Sequence, residues 1–168
     1  MTPYSRQSIN KKDISAVIKT LKSNYLTQGP AVEKFERKLS KLVKVKYGVA
    51  SNSASSSLHL ACIALDLKPK DIVWTVPNTF AASANCAINC GAKIDFVDID
   101  ADTWNLSVSS LEKKLVIAKK KKKLPKILIP VHFAGQPTEQ KEIWKLSKKY
   151  NFKIIEDASH SLGAMQSS

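Results

Sequence analysis

Short apolar segments alternate with amphipathic segments along most of the chain. Apolar residues recur about every 3.6 positions in 14–21, 32–42 and 139–150, which predicts helices. Compact apolar runs bounded by polar or breaker residues, such as 72–76 before Pro77, are typical of buried strands. The remaining predicted strands are 47–50, 93–98, 126–131 and 153–156, and the remaining predicted helices are 58–65, an Ala-rich helix ending near Asn89, and 108–116.

Predicted strands alternate throughout with predicted helices of about a dozen residues. This alternation predicts βαβ units and a mostly parallel sheet with helices on both faces. No internal repeat and no linker is visible, and 168 residues suit one domain. We therefore expect a three-layer α/β fold.

The chain is strongly basic, with a formal net charge of +13. Nearly all of its cations are lysines, since Arg6 and Arg37 are the only arginines, and specific readers of nucleic acid rely on arginine. The lysines are also spread over many segments, and the run 119–123 is interpreted as a solvated loop or helix end. We expect no nucleic-acid partner. A non-catalytic basic binding module stays open as a rival and would require RNA binding with a steep salt dependence.

No apolar run reaches the length of a membrane span, and residues 1–6 are not followed by the apolar block of a signal peptide. The sequence thus predicts a cytoplasmic protein without a membrane partner.

The chain has three cysteines, and this odd number argues against a disulfide framework. We interpret Cys86 and Cys90 as small helix residues, and we expect no metal site. The third cysteine is Cys62.

Three strand-end segments carry residues that suit ligand chemistry, because ligands bind outside the carboxyl ends of strands in open α/β sheets. Asp157 and His160 follow strand 153–156; the carboxylate could hold a cationic nitrogen, bind a metal, act as a base or cap a turn. The Ser-rich loop 52–57 enters a helix, whose N–H groups could bind phosphate or simply be capped. Phe80 could lie on a planar ligand or pack in the core.

Four segments, 74–80, 91–100, 129–137 and 155–163, occur in this order. Together they resemble the nucleotide-sugar aminotransferases of the DegT/DnrJ/StrS family, which are pyridoxal-phosphate enzymes of fold type I. The resemblance extends from Tyr4 to Gly163. The stretches around 3–9 and 26–30 are most similar to the pseudaminic-acid branch of that family.

The resemblance implies roles for individual residues. Asp157 matches the carboxylate that pairs with the pyridine nitrogen of the cofactor and keeps it protonated, so that the ring can accept electrons. His160 matches the contact to the ring 3-oxygen, and Phe80 matches the aromatic residue on the ring face. Ala54 and Ser55 match the residues that hold the phosphate. A loop near the mouth of the active site is matched by Thr27, Gln28 and Gly29.

The resemblance further implies amino transfer from L-glutamate to a 4-keto-6-deoxy UDP-N-acetyl-hexose by a homodimer with shared sites. The family's covalent lysine follows the Asp/His segment, and no lysine follows Lys153 here. We therefore expect residues 1–168 to be the N-terminal part of the large domain, inactive alone, with the lysine and the smaller C-terminal domain outside it. Some family members are dehydratases with histidine in place of that lysine, and this alternative stays open.

The sheet expected from the resemblance has seven strands in the order 3-2-4-5-6-7-1. This chain would supply strands one to five, and the sixth and seventh would lie outside it.

Overall fold

The computed structural model describes residues 6–165, and the chain divides after Ala50 into two compact units. The expectation that residues 1–168 belong to one domain stays a prediction. The two helices before Ala50 bury none of their residues, whereas the residues from Ser51 onward form two clusters of buried side chains. Within residues 6–165, no helix has the length and apolar character needed to cross a bilayer.

The first unit contains the two predicted helices, α1 (Lys11–Leu21) and α2 (Pro30–Leu42). The side chain of Asn10 accepts from the backbone N–H of Asp13, while the Asp13 carboxylate accepts from the Asn10 N–H. This capping box satisfies donors that the first helical turn leaves free. Proline at the first position of α2 needs no hydrogen bond there, which favours a helix start.

The strand predicted at 47–50 is absent from the structure. The segment is held by α2 instead: the Ala50 N–H donates to Glu36 Oε1 at 2.8 Å. A Cβ on Gly48 would lie 2.8 Å from the Glu36 carbonyl oxygen, so only glycine fits this approach. Tyr47 and Val49 are exposed. The prediction failed because a strand needs a neighbouring strand for its backbone, and local apolar pattern does not supply one.

The second unit is a parallel sheet flanked by helices. Its strands are β1 (Ile72–Thr75), β2 (Lys93–Phe96), β3 (Ile127–Ile129) and β4 (Lys153–Ile154), and its α-helices are α3 (Ala54–Ala64), α4 (Ala82–Asn89), α5 (Val108–Lys120) and α6 (Gln140–Tyr150). The order is β2-β1-β3-β4, and every pairing is parallel. This is the 3-2-4-5 portion of the expected order, which confirms that part of the prediction.

Both faces of the sheet are covered. Val73 of β1 and Ile127 of β3 pack in a cluster with α3 and α4, while their neighbours Trp74 and Leu128 pack in a cluster with α5 and α6. Successive strand residues face opposite sides of a sheet, so a short apolar strand fills both clusters. The three-layer α/β architecture predicted from the alternation is confirmed.

Helix α5 is four residues longer than predicted. Ser107 begins it by accepting a hydrogen bond from the Ser110 N–H. Its last turn contains Lys119 and Lys120, where a cation lies near the negative end of the helix dipole. The lysine run is therefore a helix end and the following turn, as the sequence indicated.

The cysteines are free thiols in the α3–α4 layer. Cys62 and Cys86 are buried, and the pKa of the Cys62 thiol is raised by its hydrogen bond with Cys86 and by burial. Cys90 is half-buried and caps α4 rather than lying inside it, because that helix ends at Asn89. Cys86 is thus a small buried helix residue, as the sequence indicated, whereas the same interpretation is wrong for Cys90.

Leu115 of α5 tests the contribution of the α5–α6 layer, because it is 0% exposed while Ile117 on the same helix is 54% exposed. We expect Leu115→Ala to lower the free energy of unfolding by about 2–5 kcal/mol, since it removes buried methyl groups and leaves a cavity. Ile117→Ala should change it by less than about 1 kcal/mol. Urea unfolding followed by circular dichroism measures both; equal losses would contradict the assigned packing.

Candidate functional site

The carboxyl ends of β1, β3 and β4 open onto one cavity of about 460 Å³. The pairing between β3 and β4 continues into this region as a parallel bridge between Val131 and Asp157. The Asp157 N–H donates to the Pro130 carbonyl at 2.9 Å, and the His132 N–H donates to the Asp157 carbonyl at 3.1 Å. These two hydrogen bonds fix the loop after β3 beside the segment after β4.

The structure brings together five of the residues singled out from sequence: Ala54, Ser55, Phe80, Asp157 and His160 all line this cavity. They come from the start of α3, the loop after β1 and the segment after β4. The other lining residues are Leu58, Asn78, Thr79, Ala82, Val131, His132, Phe133 and Ser159.

Asp157 is buried, with 7% of its surface exposed. Its carboxylate accepts hydrogen bonds from two serine hydroxyls: Ser159 Oγ donates to Oδ1 at 2.6 Å and Ser83 Oγ donates to Oδ2 at 2.7 Å. The Ser159 N–H also donates to Oδ1, at 3.3 Å. The buried carboxylate is therefore well supplied with donors from the chain itself.

Sequence reasoning missed both serines. Ser159 lies two residues after an aspartate, the spacing at which aspartate side chains commonly accept from the backbone, so this contact had a local signal. Ser83 lies in α4, 74 residues from Asp157 along the chain, and no local pattern connects the two.

The start of α3 also lines the cavity. Ser53 caps the helix by accepting from the Ser56 N–H, and Ala54 and Ser55 are its first two residues. The segment predicted as a loop to residue 57 is thus already helical from residue 54. The early N–H groups of a helix suit an anion such as phosphate, because the intrahelical ladder does not use them.

Phe80 and His160 are exposed side chains at the cavity. Phe80 follows β1 and is 77% exposed, which contradicts the core-packing interpretation and leaves its ring free to cover a ligand. His160 is placed through its backbone: a Cβ on Gly135 would lie 3.0 Å from the His160 carbonyl oxygen. Gly135 also has φ +90°, a conformation that favours glycine.

The loop after β3, residues 132–137, is braced by Asn105, another residue that sequence reasoning missed. The Asn105 amide donates to the carbonyls of Gln136 (3.0 Å) and Pro137 (3.3 Å), and its oxygen accepts from the Phe133 N–H at 2.9 Å. Asn105 satisfies three backbone groups at once, so its side-chain hydrogen bonds hold this loop in addition to the backbone pairing with the segment after β4.

Asn105 lies in a hairpin closed by Asp100. The Asp100 carboxylate accepts from the Thr103 backbone N–H and hydroxyl, and these bonds lower the pKa of Asp100. The Asp100 N–H in turn donates to the Asn105 carbonyl at 2.8 Å.

His132 is buried and its ring is engaged with the protein. Its Nδ1 accepts from the Thr138 N–H at 3.1 Å, which assigns the proton of the neutral ring to Nε2. The Nε2–H faces Glu156 Oε2 at 3.5 Å, and the Gln140 amide nitrogen, which is itself a donor, lies 3.1 Å from Nε2. The ring therefore lies between the loop after β3 and the segment after β4.

Thr27, Gln28 and Gly29 lie in the first unit, in the turn that leads into α2. Gln28 has φ +45°, and a Cβ on Gly29 would lie 2.5 Å from Tyr25 Cβ, so the turn is tightly built. Their role near an active-site mouth stays a prediction.

The chain is a three-layer α/β protein with a cavity at the carboxyl edge of a parallel sheet. The chain belongs to the DegT/DnrJ/EryC1/StrS aminotransferase family, whose sequence profile matches residues 7–167. The family assigned from the resemblance and its fold class are thereby confirmed.

Individual relatives agree with this assignment. The chain is 46% identical, over 164 residues, to a UDP-4-amino-4,6-dideoxy-N-acetyl-beta-L-altrosamine transaminase of Campylobacter jejuni, covering 98% of this chain and 42% of that protein. It is 41% identical over 162 residues to an uncharacterized protein of Methanocaldococcus jannaschii, covering 96% and 40%. The chain thus spans about two fifths of the length of the curated relatives it matches.

Solved structures are similar as well. A putative sugar aminotransferase from Streptococcus pneumoniae, in its PLP form, superposes with a TM-score of 0.84 at 29% identity, covering 96% of this chain and 44% of that one. An aminotransferase from Psychrobacter cryohalolentis gives 0.85 at 30% identity, covering 97% and 40%. The relatives thus include a transaminase, and the structural neighbours include a putative sugar aminotransferase in its PLP form.

Gly135 tests how His160 is held. We expect Gly135→Ala to lower the free energy of unfolding by about 2–4 kcal/mol, because positive φ is unfavourable for alanine and the new Cβ meets the His160 carbonyl. It should also shift the imidazole NMR signals of His160.

Gly163→Ala is the matched control, since Gly163 has φ +86° but nothing within 4 Å of the added Cβ. It should cost at most about 2 kcal/mol and leave the His160 signals in place. Equal effects of the two substitutions in both measurements would contradict a positioning contact between Gly135 and His160.

Proposed function

We propose that the chain is the N-terminal, cofactor-binding part of a PLP-dependent nucleotide-sugar aminotransferase, and that the cavity at the carboxyl edge of the sheet holds the cofactor. The observation that carries the proposal is the position of Asp157. It is a buried carboxylate at the wall of a cavity that also contains a helix start and an exposed aromatic ring. A protonated pyridine, a phosphate and a flat ring are the groups that these three features suit.

The residues present fit the cofactor on chemical grounds. The first turn of α3, with Ala54 and Ser55, offers backbone N–H groups and a hydroxyl to the phosphate. The exposed face of Phe80 offers an apolar surface to the ring. His160 offers a ring nitrogen to the cofactor's 3-oxygen.

Bound pyridoxal phosphate supplies an electron-accepting ring for breaking bonds at the amine-bearing carbon. The role of Asp157 is to accept a hydrogen bond from the ring nitrogen and hold a proton on that atom. Burial strengthens this contact, because a charge-assisted hydrogen bond is less screened away from water. Phe80 orients the ring and excludes water from one face.

We further propose L-glutamate as the amino donor and a 4-keto-6-deoxy UDP-N-acetyl-hexose as the acceptor, in a pathway of the pseudaminic-acid type, with a cytoplasmic homodimer as the intact enzyme. The support for the sugar is the similarity to the Campylobacter jejuni transaminase across nearly the whole chain. In the intact form of this protein, the turn at Thr27, Gln28 and Gly29 is proposed to contribute to the mouth of the active site.

The covalent lysine is proposed to lie outside residues 6–165. No lysine lines the cavity within that range, and the sequence contains none after Lys153. The chain would then bind the cofactor without turning over substrate.

Binding of pyridoxamine 5′-phosphate tests the cavity, because this form of the cofactor lacks the aldehyde that would react with surface lysines. We expect saturable binding at one site per chain by isothermal titration calorimetry. Asp157→Asn should weaken it by about tenfold or more, since it loses a charge-assisted hydrogen bond.

Asp102→Ala, an exposed aspartate outside the cavity lining, is the control and should bind like the unaltered chain. Equal affinity of the Asp157→Asn variant and the unaltered chain would remove the support for this site.

Borohydride reduction in the presence of pyridoxal phosphate tests the location of the covalent lysine. We expect low labelling scattered over surface lysines, unaffected by excess pyridoxamine phosphate, as mapped by peptide mass spectrometry. Stoichiometric labelling of a single lysine that pyridoxamine phosphate prevents would contradict the proposal.

A further inference from the structure

A chain of hydroxyl groups reaches Asp157 from inside the α3–α4 layer. Ser83 of α4 is fully buried and donates to Asp157 Oδ2 at 2.7 Å. On its other side, Ser83 Oγ lies 2.8 Å from Thr79 Oγ1, in the loop after β1. Both are hydrogen bonds between side chains, and neither contributes to the backbone hydrogen bonding of a helix or a strand.

The direction of this chain follows from counting protons. A serine hydroxyl has one proton to donate. Ser83 gives it to the carboxylate, which can only accept, so Thr79 must be the donor in the Thr79–Ser83 contact. The order is therefore Thr79 to Ser83 to Asp157.

The hydrogen bonds also determine which oxygen of Asp157 can take another donor. A carboxylate has about two acceptor positions on each oxygen. Among the described residues, Oδ1 accepts twice, from the hydroxyl and the N–H of Ser159, and Oδ2 accepts once, from Ser83. The remaining acceptor position is thus on the oxygen that Ser83 orients.

We propose that Ser83, supported by Thr79, is a positioning residue that orients Asp157 Oδ2 toward the cofactor's ring nitrogen. The inference rests on the proposed function, which assigns that nitrogen to Asp157. Ser83 suits the task because it lies on a helix packed against α3 and the sheet rather than on a loop. Rotation of the Asp157 carboxyl group is thereby restricted before any ligand arrives, which lowers the cost of binding.

A double-mutant cycle separates positioning from a general structural role. It uses Ser83→Ala, Asp157→Asn and the two combined, with pyridoxamine 5′-phosphate affinity measured by calorimetry on the chain. If Ser83 acts through Asp157, Ser83→Ala should weaken binding by about five- to tenfold in the unaltered chain and by less than about twofold in the Asp157→Asn background.

Two further variants complete the design. Ser147→Ala removes a buried serine hydroxyl of α6 that donates to the Trp144 carbonyl, away from the cavity, and should leave the affinity unchanged. Thr79→Val removes the donor to Ser83 with little change of shape and should weaken binding about two- to fivefold, again only when Asp157 is present. This variant tests the same chain of hydroxyls if Ser83→Ala does not fold.

The outcomes are distinct. The role of Ser83 is overturned if Ser83→Ala weakens binding equally in the unaltered chain and in the Asp157→Asn background. It is also overturned if the unaltered chain binds and neither Ser83→Ala nor Thr79→Val weakens binding. Both results leave the proposed function standing. Failure of the unaltered, folded chain to bind pyridoxamine phosphate overturns the proposed function, and this inference with it.

Discussion

The site depends on the backbone hydrogen bonds that continue the β3–β4 pairing past the ends of both strands. Asp157 donates to the Pro130 carbonyl and accepts from the His132 N–H, so the loop after β3 and the segment after β4 leave the sheet side by side. Parallel strands place all their carboxyl ends at one edge, and the helices that follow begin there. One geometric constraint therefore gathers a carboxylate, an aromatic ring and a helix start at a single cavity.

The contacts that hold the site also stabilise the fold. A buried carboxylate is unfavourable unless donors compensate for lost hydration, and Ser83 and Ser159 supply those donors to Asp157. Ser83 belongs to a helix that packs in the α3–α4 core, which links core packing to the orientation of the Asp157 carboxylate. Asn105 acts similarly on the loop after β3, where one amide satisfies three backbone groups. The same few hydrogen bonds thus hold the residues around the cavity and stabilise the fold.

Helix and strand positions in the second unit were largely predictable, because the period of apolar residues reflects which face is buried. The boundaries were less predictable: α5 continues four residues past its predicted end, to Lys120, and β4 is only two residues long. The strand expected at 47–50 failed for a different reason, since pairing is a property of two segments and not of one. For the site, strand-end position identified Asp157 and His160, and the family resemblance added the roles of Ala54, Ser55 and Phe80.

The amino-acid sequence by itself determined the α/β class, the order of the elements and the residues at the strand ends, because these follow from local periodicity and from the rule that parallel strands end together. Only the tertiary structure decided how those residues are held. Ser83 and Asp157 are 74 positions apart, and Asn105 is 28 positions from Phe133. These hydrogen bonds form because folding packs α4 on the sheet and brings the hairpin at 99–106 to the loop after β3. No local pattern indicates a hydrogen bond between segments so far apart in sequence.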